Sequence, residues 1–469
     1  MKESGTYYIQ LDTGLKSTAF EVRPGIYSSS LAASVKSFYF QRASMTLEEQ
    51  YAGKYQRAAG HPDDQCIFHP STGRTEGFLY SPGGWYDAGD YGKYVVNAAI
   101  SVAQMLNLLD MVPGAIQSDG LNIPESGNGI PDLLDEIRYE LDWVMTMQDK
   151  DGGVYHKLTA LNFGGFIMPE DYQLDRYIIG KGTTASLTFA ALMAQASRVY
   201  ARLDPDFSSA ALSAAEHAWE WAQVHPDVVF RNPEDVVTGE YSDDVFDDDF
   251  YWAAAELYIS TGKEAYSKAL QIYKQVYQHQ ITNSWKFFIR NMGFHTLLIN
   301  DRDQKELSKK HLLLSDEILE KMAGIPYGIS IDHFEWGSNS DVLNQAMILC
   351  IAHHLTGEQK YLDGAIRNTD YIFGKNATGY SFLTGTGTKQ VMFPHHRPSG
   401  ADGIEEPVPG FILGGPNKDK QDRAFVEYVS DFPAKSFEDV EPSFASNEVC
   451  LNWNAPAVFV LGYLEQVCK

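Results

Sequence analysis

Cysteine is scarce in this 469-residue chain: Cys66, Cys350, Cys450 and Cys468 lie far apart, with no Cys-x-x-Cys pair among them. That spacing argues against a disulfide framework as the organiser of the fold. Positive charge is in deficit, with 37 Lys and Arg against 62 Asp and Glu, a formal net charge of −25. Nucleic acid and anionic membrane surfaces are therefore disfavoured as partners, because their phosphates would be repelled. Long apolar runs are missing too, and the longest, Ala455 to Leu464, covers only about half a bilayer span. The opening residues, MKESGTYYIQ, hold no apolar core of a secretory signal. What is present is 44% hydrophobic and 13% aromatic residues, enough for a large core and too apolar for disorder. The length fits either about three domains or one large closed architecture.

The first 30 residues read as β, with strand-like runs at Thr6 to Leu11 and Ala19 to Val22 around an Asp12-Thr13-Gly14 turn signal. Two such strands are not stable alone, so this segment leans on something else or is a fragment. From Leu31 onward the apolar period becomes helical. The clearest segments are Ile100–Val112, Asp132–Gln148, Thr184–Leu203, Ser208–His225, Phe250–Gly262, Glu264–Gln280, Asp341–Gly357, Gln359–Phe373 and Ala455–Cys468. Weaker candidates at Gly293–Asn300 and Ser315–Ala323 bring the set to about a dozen. Stretches such as SLTFAALMAQASRVY are apolar on more than one side, as in the inner ring of a double-layered helical barrel. The loops at 53–92, 149–183, 226–249, 325–340 and 374–448 are long and aromatic, and gathered at one barrel end they would build a groove.

Three loop features carry chemistry. The first is GGWYDAGDYGKY, with Asp87 and Asp90 among glycines and aromatics just before a helix. An Asp-x-x-Asp there ordinarily caps the helix and holds a turn amide; the alternative is a pair that holds a water, one carboxylate as base and the other as its orienter. The second is SFLTGTGTKQVMFPHHR, ending in His395, His396 and Arg397. Two histidines are too few for a metal set at helical spacing, and Arg397 suits hydroxyls or a carboxylate. The third is FEDVEPSFASNEVCLNWNA, in which Glu448 precedes an apolar helix. Such a Glu either complements the helix dipole or is an acid whose pKa is raised by apolar surroundings.

Together these segments resemble the family 9 glycoside hydrolases, mostly endo-acting cellulases, over about residues 35 to 465. The resemblance implies an (α/α)6 barrel and inverting cleavage of β-1,4-glucan. It implies Asp90 as catalytic base, Asp87 as a holder of the nucleophilic water, and Glu448 as general acid, with His395 and Arg397 on sugar hydroxyls. The histidine signature is matched at Ser381, Leu383, Thr384, Gly387, Lys389, Pro394, His395 and Arg397. The second signature is matched at Phe437, Asp439, Phe444, Glu448, Asn454 and Ala455, with Cys450 standing where Ser, Thr or Ala is usual. Trp336 matches a position that stacks on sugar and His156 one near the cleavage point. Trp85, Tyr86, Tyr241 and Trp453 are further aromatic candidates, and Asp439 is a candidate neighbour for Glu448 and for substrate.

Residues such as FYFQRASMTLEEQYAGKYQRAAGH and EWGSNSDVLN resemble the subgroup that carries an N-terminal immunoglobulin-like module. Residues 1–30 would then be part of that module and 31–469 the catalytic domain. The subgroup often binds zinc, but Ala43 and Gly60 stand where cysteines would fall. His61 and His69 remain, with Cys66 between them, and two ligands do not close a tetrahedral site, so no zinc is expected. A structural calcium is expected at Asp248 and Asp249, inside the acidic run Asp243, Asp244, Asp247, Asp248, Asp249. The alternative is a solvated acidic turn at a helix N-terminus.

An inverting pair should stand about 6.5–9.5 Å apart, with the acid protonated and the base ionised. The resemblance implies no cofactor for the chemistry, a monomer acting on β-glucan, and a secreted or periplasmic location. Two rivals remain at this point: an exo-acting glucosaminidase or cellodextrinase of the same family, and a sugar-binding protein that has lost catalysis.

Overall fold

Alanine-rich, doubly apolar helices alternating with helices of one apolar stripe dictate two concentric layers. A computed structural model describes residues 3–116, 120–276, 285–301 and 303–468. Among the described residues twelve helices have ten or more residues. The odd-numbered ones form the outer layer: α1 (Ser28–Phe40), α3 (Asp132–Thr146), α5 (Pro205–Val224), α7 (Glu264–Tyr273), α9 (Lys305–Gly324) and α11 (Gln359–Ile372). The even-numbered ones form the inner layer: α2 (Val95–Met111), α4 (Thr183–Tyr200), α6 (Asp247–Thr261), α8 (Trp285–Asn300), α10 (Ser338–Thr356) and α12 (Leu451–Val467). In the inner layer, α2 packs on α12 and α4, α6 on α4 and α8, and α10 on α12. This is an (α/α)6 barrel.

Burial follows the two-layer logic. In α4 nearly every residue from Thr183 to Ser197 is buried. In α5 burial is confined to a stripe of Phe207, Ala211, Ala214, Ala215, Ala218, Trp219, Trp221 and Ala222. The N-cap of α5 is Asp204, whose side chain accepts from the Phe207 amide ahead of Pro205, and α6 and α10 both stop on left-handed glycines, Gly262 and Gly357. Part of the expected segment Glu264–Gln280 lies outside the described residues; Glu264–Tyr273 is α-helical and Lys274–Val276 a 3-10 turn.

The structure adds a small sheet that the sequence did not announce. Strands β3 (Cys66–Phe68), β4 (Phe78–Leu79), β5 (Lys93–Tyr94), β6 (Tyr155–Thr159) and β7 (Tyr177–Lys181) pair in the order β4-β3-β7-β6-β5. It ties the loops at 53–92 and 149–183 together at the barrel end where the expected site residues lie. At the N-terminus, β1 (Gly5–Tyr7) and β2 (Phe20–Val22) form an antiparallel hairpin with Gly5 opposite Val22. Its residues Tyr8, Ile9, Leu11 and Leu15 are exposed. No described helix is long and apolar enough to cross a membrane.

Candidate active site

Three loop segments far apart in sequence are zipped together by backbone pairing. Ala88 lies antiparallel to Cys450, His395 runs parallel to Glu448, and Leu413 lies antiparallel to Val449. The Leu451 amide donates to the Asp87 carbonyl at 2.8 Å, the Arg397 amide to Gly89 at 3.1 Å, and the His395 amide to Asn447 at 2.9 Å. Gly89 has to be glycine, because a Cβ there would stand 2.1 Å from the His395 carbonyl oxygen. The backbones of the Asp-x-x-Asp, His-His-Arg and Glu448 segments thus approach more closely than side chains would permit.

On this frame the carboxylates differ. Asp87 is buried; it accepts from Tyr241 Oη at 2.7 Å and from Asn97 Nδ2 at 3.0 and 3.2 Å, with the Cys450 thiol at 3.9 Å. Burial pushes its pKa up to about 7; the Tyr241 bond pulls it down, and the charge of Asp90 pushes it up again. Asp90 accepts from the Gly92 amide at 3.1 Å and lines the cleft. Glu448 also lines the cleft, and burial lifts its carboxyl well above the usual range, reinforced by Asp90 and Asp87 and opposed by Arg397. The acidic neighbours expected for Glu448 are therefore Asp90 and Asp87 rather than Asp439. Asp439 instead accepts from the amides of Met392 and Phe393, at 2.9 and 2.8 Å, and pins the strip leading into His395.

His395 Nδ1 donates to the Glu441 carbonyl at 2.7 Å, which makes Nε2 the acceptor nitrogen. Burial draws its pKa down to about 4, so the ring is neutral. Arg397 gives Nη1 to Gly89 at 2.8 Å and Nε to Gly164 at 3.0 Å, and both His395 and Arg397 line the cleft. His396 turns away into the core.

The cleft has a volume of about 1070 Å³ and includes Trp336, Trp453, Tyr241 and Phe444 in its walls. Trp336 is 40% exposed with its ring 5.6 Å from Phe444; Phe444 is 6.0 Å from His395, and His395 is 5.1 Å from Phe166. Phe163, on the same loop as Phe166, is exposed with the Arg397 guanidinium 5.8 Å from its ring. Phe163 and Phe166 had no sequence signal beyond sitting in a long aromatic loop.

Three expected sugar contacts lie elsewhere. Trp85 and Tyr86 are core residues, Trp85 Nε1 bonding Glu136 at 2.8 Å and Tyr86 Oη meeting His61 at 2.8 Å. His156 is buried and stacked on Phe230 at 3.8 Å, with Nε2 on the Glu240 carbonyl at 2.9 Å. It reaches the site only through the strip that carries Tyr241. Lys157 beside it grips the same strip at Asn232, Thr238 and Gly239.

Among the described residues no three His, Cys, Asp or Glu side chains converge as a metal shell. His61 rests among Tyr86, Tyr91 and Tyr172, whereas His69 bonds Ser71 and Asp235 and the Cys66 thiol meets the Asp63 carbonyl. In the first turn of α6, both oxygens of Asp249 and one of Asp248 are buried without a well-formed hydrogen bond. Burial lifts both carboxyls, Asp248 to about 7, reinforced at both by Asp243 and at Asp249 by Asp248, and opposed at Asp248 by Arg290 and at Asp249 by Thr184.

The family model described as Glycosyl hydrolase family 9 matches residues 27–461. The chain is 42% identical to a xyloglucan-specific endo-beta-1,4-glucanase of Bacteroides ovatus, over 98% of this chain and 82% of that protein. It is 34% identical to endoglucanase D of Acetivibrio thermocellus, over 98% and 73% of the two chains. Among solved structures, a Bacteroides ovatus protein of the same family superposes with a TM-score of 0.91 at 40% identity, covering 100% of this chain and 87% of the other. An enzyme in complex with cellobiose-like isofagomine superposes with a TM-score of 0.92 at 33% identity, covering 99% and 89%. With both layers of the barrel and the three zipped loops accounted for, the chain belongs to glycosyl hydrolase family 9.

Proposed function

We propose that in this endo-acting β-1,4-glucan hydrolase Asp90 is the base, Glu448 the acid and Asp87 the second holder of the attacking water. The observation that carries these roles is electrostatic. Burial and two neighbouring carboxylates, opposed by Arg397, raise the Glu448 pKa, which favours the protonated state an acid must have before it protonates a leaving oxygen. Asp90 takes a proton from the water as its oxygen bonds to the anomeric carbon, and Glu448 gives its proton to the departing glycosidic oxygen, so configuration inverts. Asp87, whose ionised form the Tyr241 and Asn97 bonds favour against burial, accepts the second hydrogen of that water. No cofactor takes part. Nuclear magnetic resonance of the first product anomer tests the reading: α-anomer supports it, and β-anomer refutes it.

Sugar binding follows from the cleft walls. Trp336 and Trp453 offer flat apolar faces, and Phe444, Phe166 and Phe163 extend the row past His395. His395 Nε2 accepts from one sugar hydroxyl and the Arg397 guanidinium donates to another. The cleft volume of about 1070 Å³ and the likeness to a xyloglucan-specific enzyme favour side-chain-bearing glucan as a substrate. Product profiles on xyloglucan, mixed-linkage glucan and cellohexaose decide this, since a preference for cellohexaose would count against it.

Asp248 and Asp249 fit a hard cation by chemistry, as buried carboxylate oxygens without well-formed hydrogen bonds, and calcium completed by backbone oxygens and water would satisfy them. We also assign a monomeric, extracytoplasmic enzyme, the location in which polymeric glucan is met; size-exclusion chromatography and cell fractionation test both statements.

A further inference from the structure

The cleft does not end at the carboxylates. It continues between the inner helices, where its lining passes to Ile100 and Gln104 of α2 and to Ser340 and Asn344 of α10. Gln104 is ten positions beyond Tyr94, about 15 Å down the helix at 1.5 Å per residue. This shaft is polar where a barrel core would ordinarily be apolar. Gln104 Nε2 donates to Asn344 Oδ1 at 2.8 Å, and Asn344 Nδ2 donates to the Ser340 carbonyl at 2.8 Å.

The side-chain oxygens of Gln104 and Asn452, which line the shaft, are buried and have no protein hydrogen bond. Gln104 is 1% exposed, and buried amide oxygens of this kind are ordinarily satisfied by internal water. Asn452 stands close to Cys450, which borders Asp87, so the unsatisfied oxygens reach to the carboxylates.

We propose that this shaft is a water-binding site that holds a reserve of water beneath a bound glucan chain, from which the attacking water at Asp90 is replaced while the chain covers the cleft mouth. Each turnover consumes one water: its oxygen forms the new bond to the anomeric carbon and the glycosidic bond breaks. A polymer bound across both walls blocks the outer route for the replacement. The shaft holds that replacement at Gln104 and Asn344, in the same cavity as Asp90, and refills when the chain moves on. The proposal rests on Asp90 as the base, and the two fail differently: loss of Asp90 stops every substrate, whereas loss of the shaft spares short ones.

The test is the double variant Gln104→Leu/Asn344→Leu, which removes both partners of one bond and strands neither. On polymeric β-glucan kcat is expected to fall about fivefold or more with KM within twofold, at an unchanged or higher melting temperature. On an aryl β-cellobioside, which leaves the mouth open, the rate is expected to stay within twofold. Equal slowing of both substrates, or full polymer activity in the folded variant, overturns the proposal. If the variant does not fold, a high-resolution crystal structure of the unaltered enzyme decides. Ordered water bonded to Gln104 Oε1 supports the shaft, and a dry shaft overturns it.

Discussion

Two acidic clusters sit at the loop end of this barrel and are built in opposite ways. Around Asp87 and Asp90, donors are supplied by the protein: Tyr241, Asn97, the Gly92 amide and, beyond them, the guanidinium of Arg397. In the first turn of α6, both oxygens of Asp249 and one of Asp248 are buried without a well-formed hydrogen bond. Burial raises the pKa of Asp87 and Glu448 in the first and of Asp248 and Asp249 in the second. In the first, side-chain donors hold Asp87 at its two oxygens; in the second, Arg290 and Thr184 only partly offset the burial of Asp248 and Asp249. Donor supply, rather than acidity or burial, is what distinguishes the two.

The largest blow to the first cluster is removal of a reacting group. Asp90→Asn and Glu448→Gln should each lower kcat by about a thousandfold or more, with folding intact by circular dichroism; near-full activity in either would sink the roles assigned here. Next is Tyr241→Phe, which strips one donor from Asp87 and leaves its shape alone. With that bond gone the Asp87 pKa rises above its present value of about 7. The ionised fraction then falls at neutral pH, so the acid limb of kcat/KM should move to higher pH, with activity at pH 6 down about tenfold or more. An unmoved acid limb would show that Asp87 is not the group titrating.

A smaller effect is expected where sugar is only bound. Trp336→Ala should raise KM for polymeric glucan about tenfold and leave kcat within a few-fold, and Phe163→Ala should do the same more weakly. The gentlest test addresses the second cluster. Chelation should lower the melting temperature by a few degrees, and calcium should restore it. Asp249→Asn should abolish that response while leaving kcat near its original value. A calcium response retained in Asp249→Asn would place the ion elsewhere.

Much of this was legible in the chain, for identifiable reasons. The helices declared themselves because inner-layer segments such as Thr183–Tyr200 carry apolar residues on every side. The three segments that meet at the cleft could be named from their motifs. Their meeting depends on single peptide pairings such as Ala88 with Cys450, which leave no periodic trace. The five-stranded sheet was missed because its strands are two to five residues long, below the length at which alternation can be read. Trp85, Tyr86 and His156 were misplaced for another reason. A glycine-rich or irregular segment gives no face, so an aromatic in it points inward or outward without a sequence signal. Phe163 was overlooked on the same ground. Cys450, standing where Ser, Thr or Ala is usual, borders Asp87 itself.

The bridge between His395 and Glu448, together with that between Ala88 and Cys450, has one more implication. The gap between the Glu448 and Asp90 side chains is gauged by peptide units, as on a ruler. Swapping Glu448 for Asp or Asp90 for Glu would therefore displace a reactive oxygen by one methylene. The walls around that gauge, at Trp336, Phe163 and the 226–249 strip, can be rewritten for new glycans while the gauge keeps its setting.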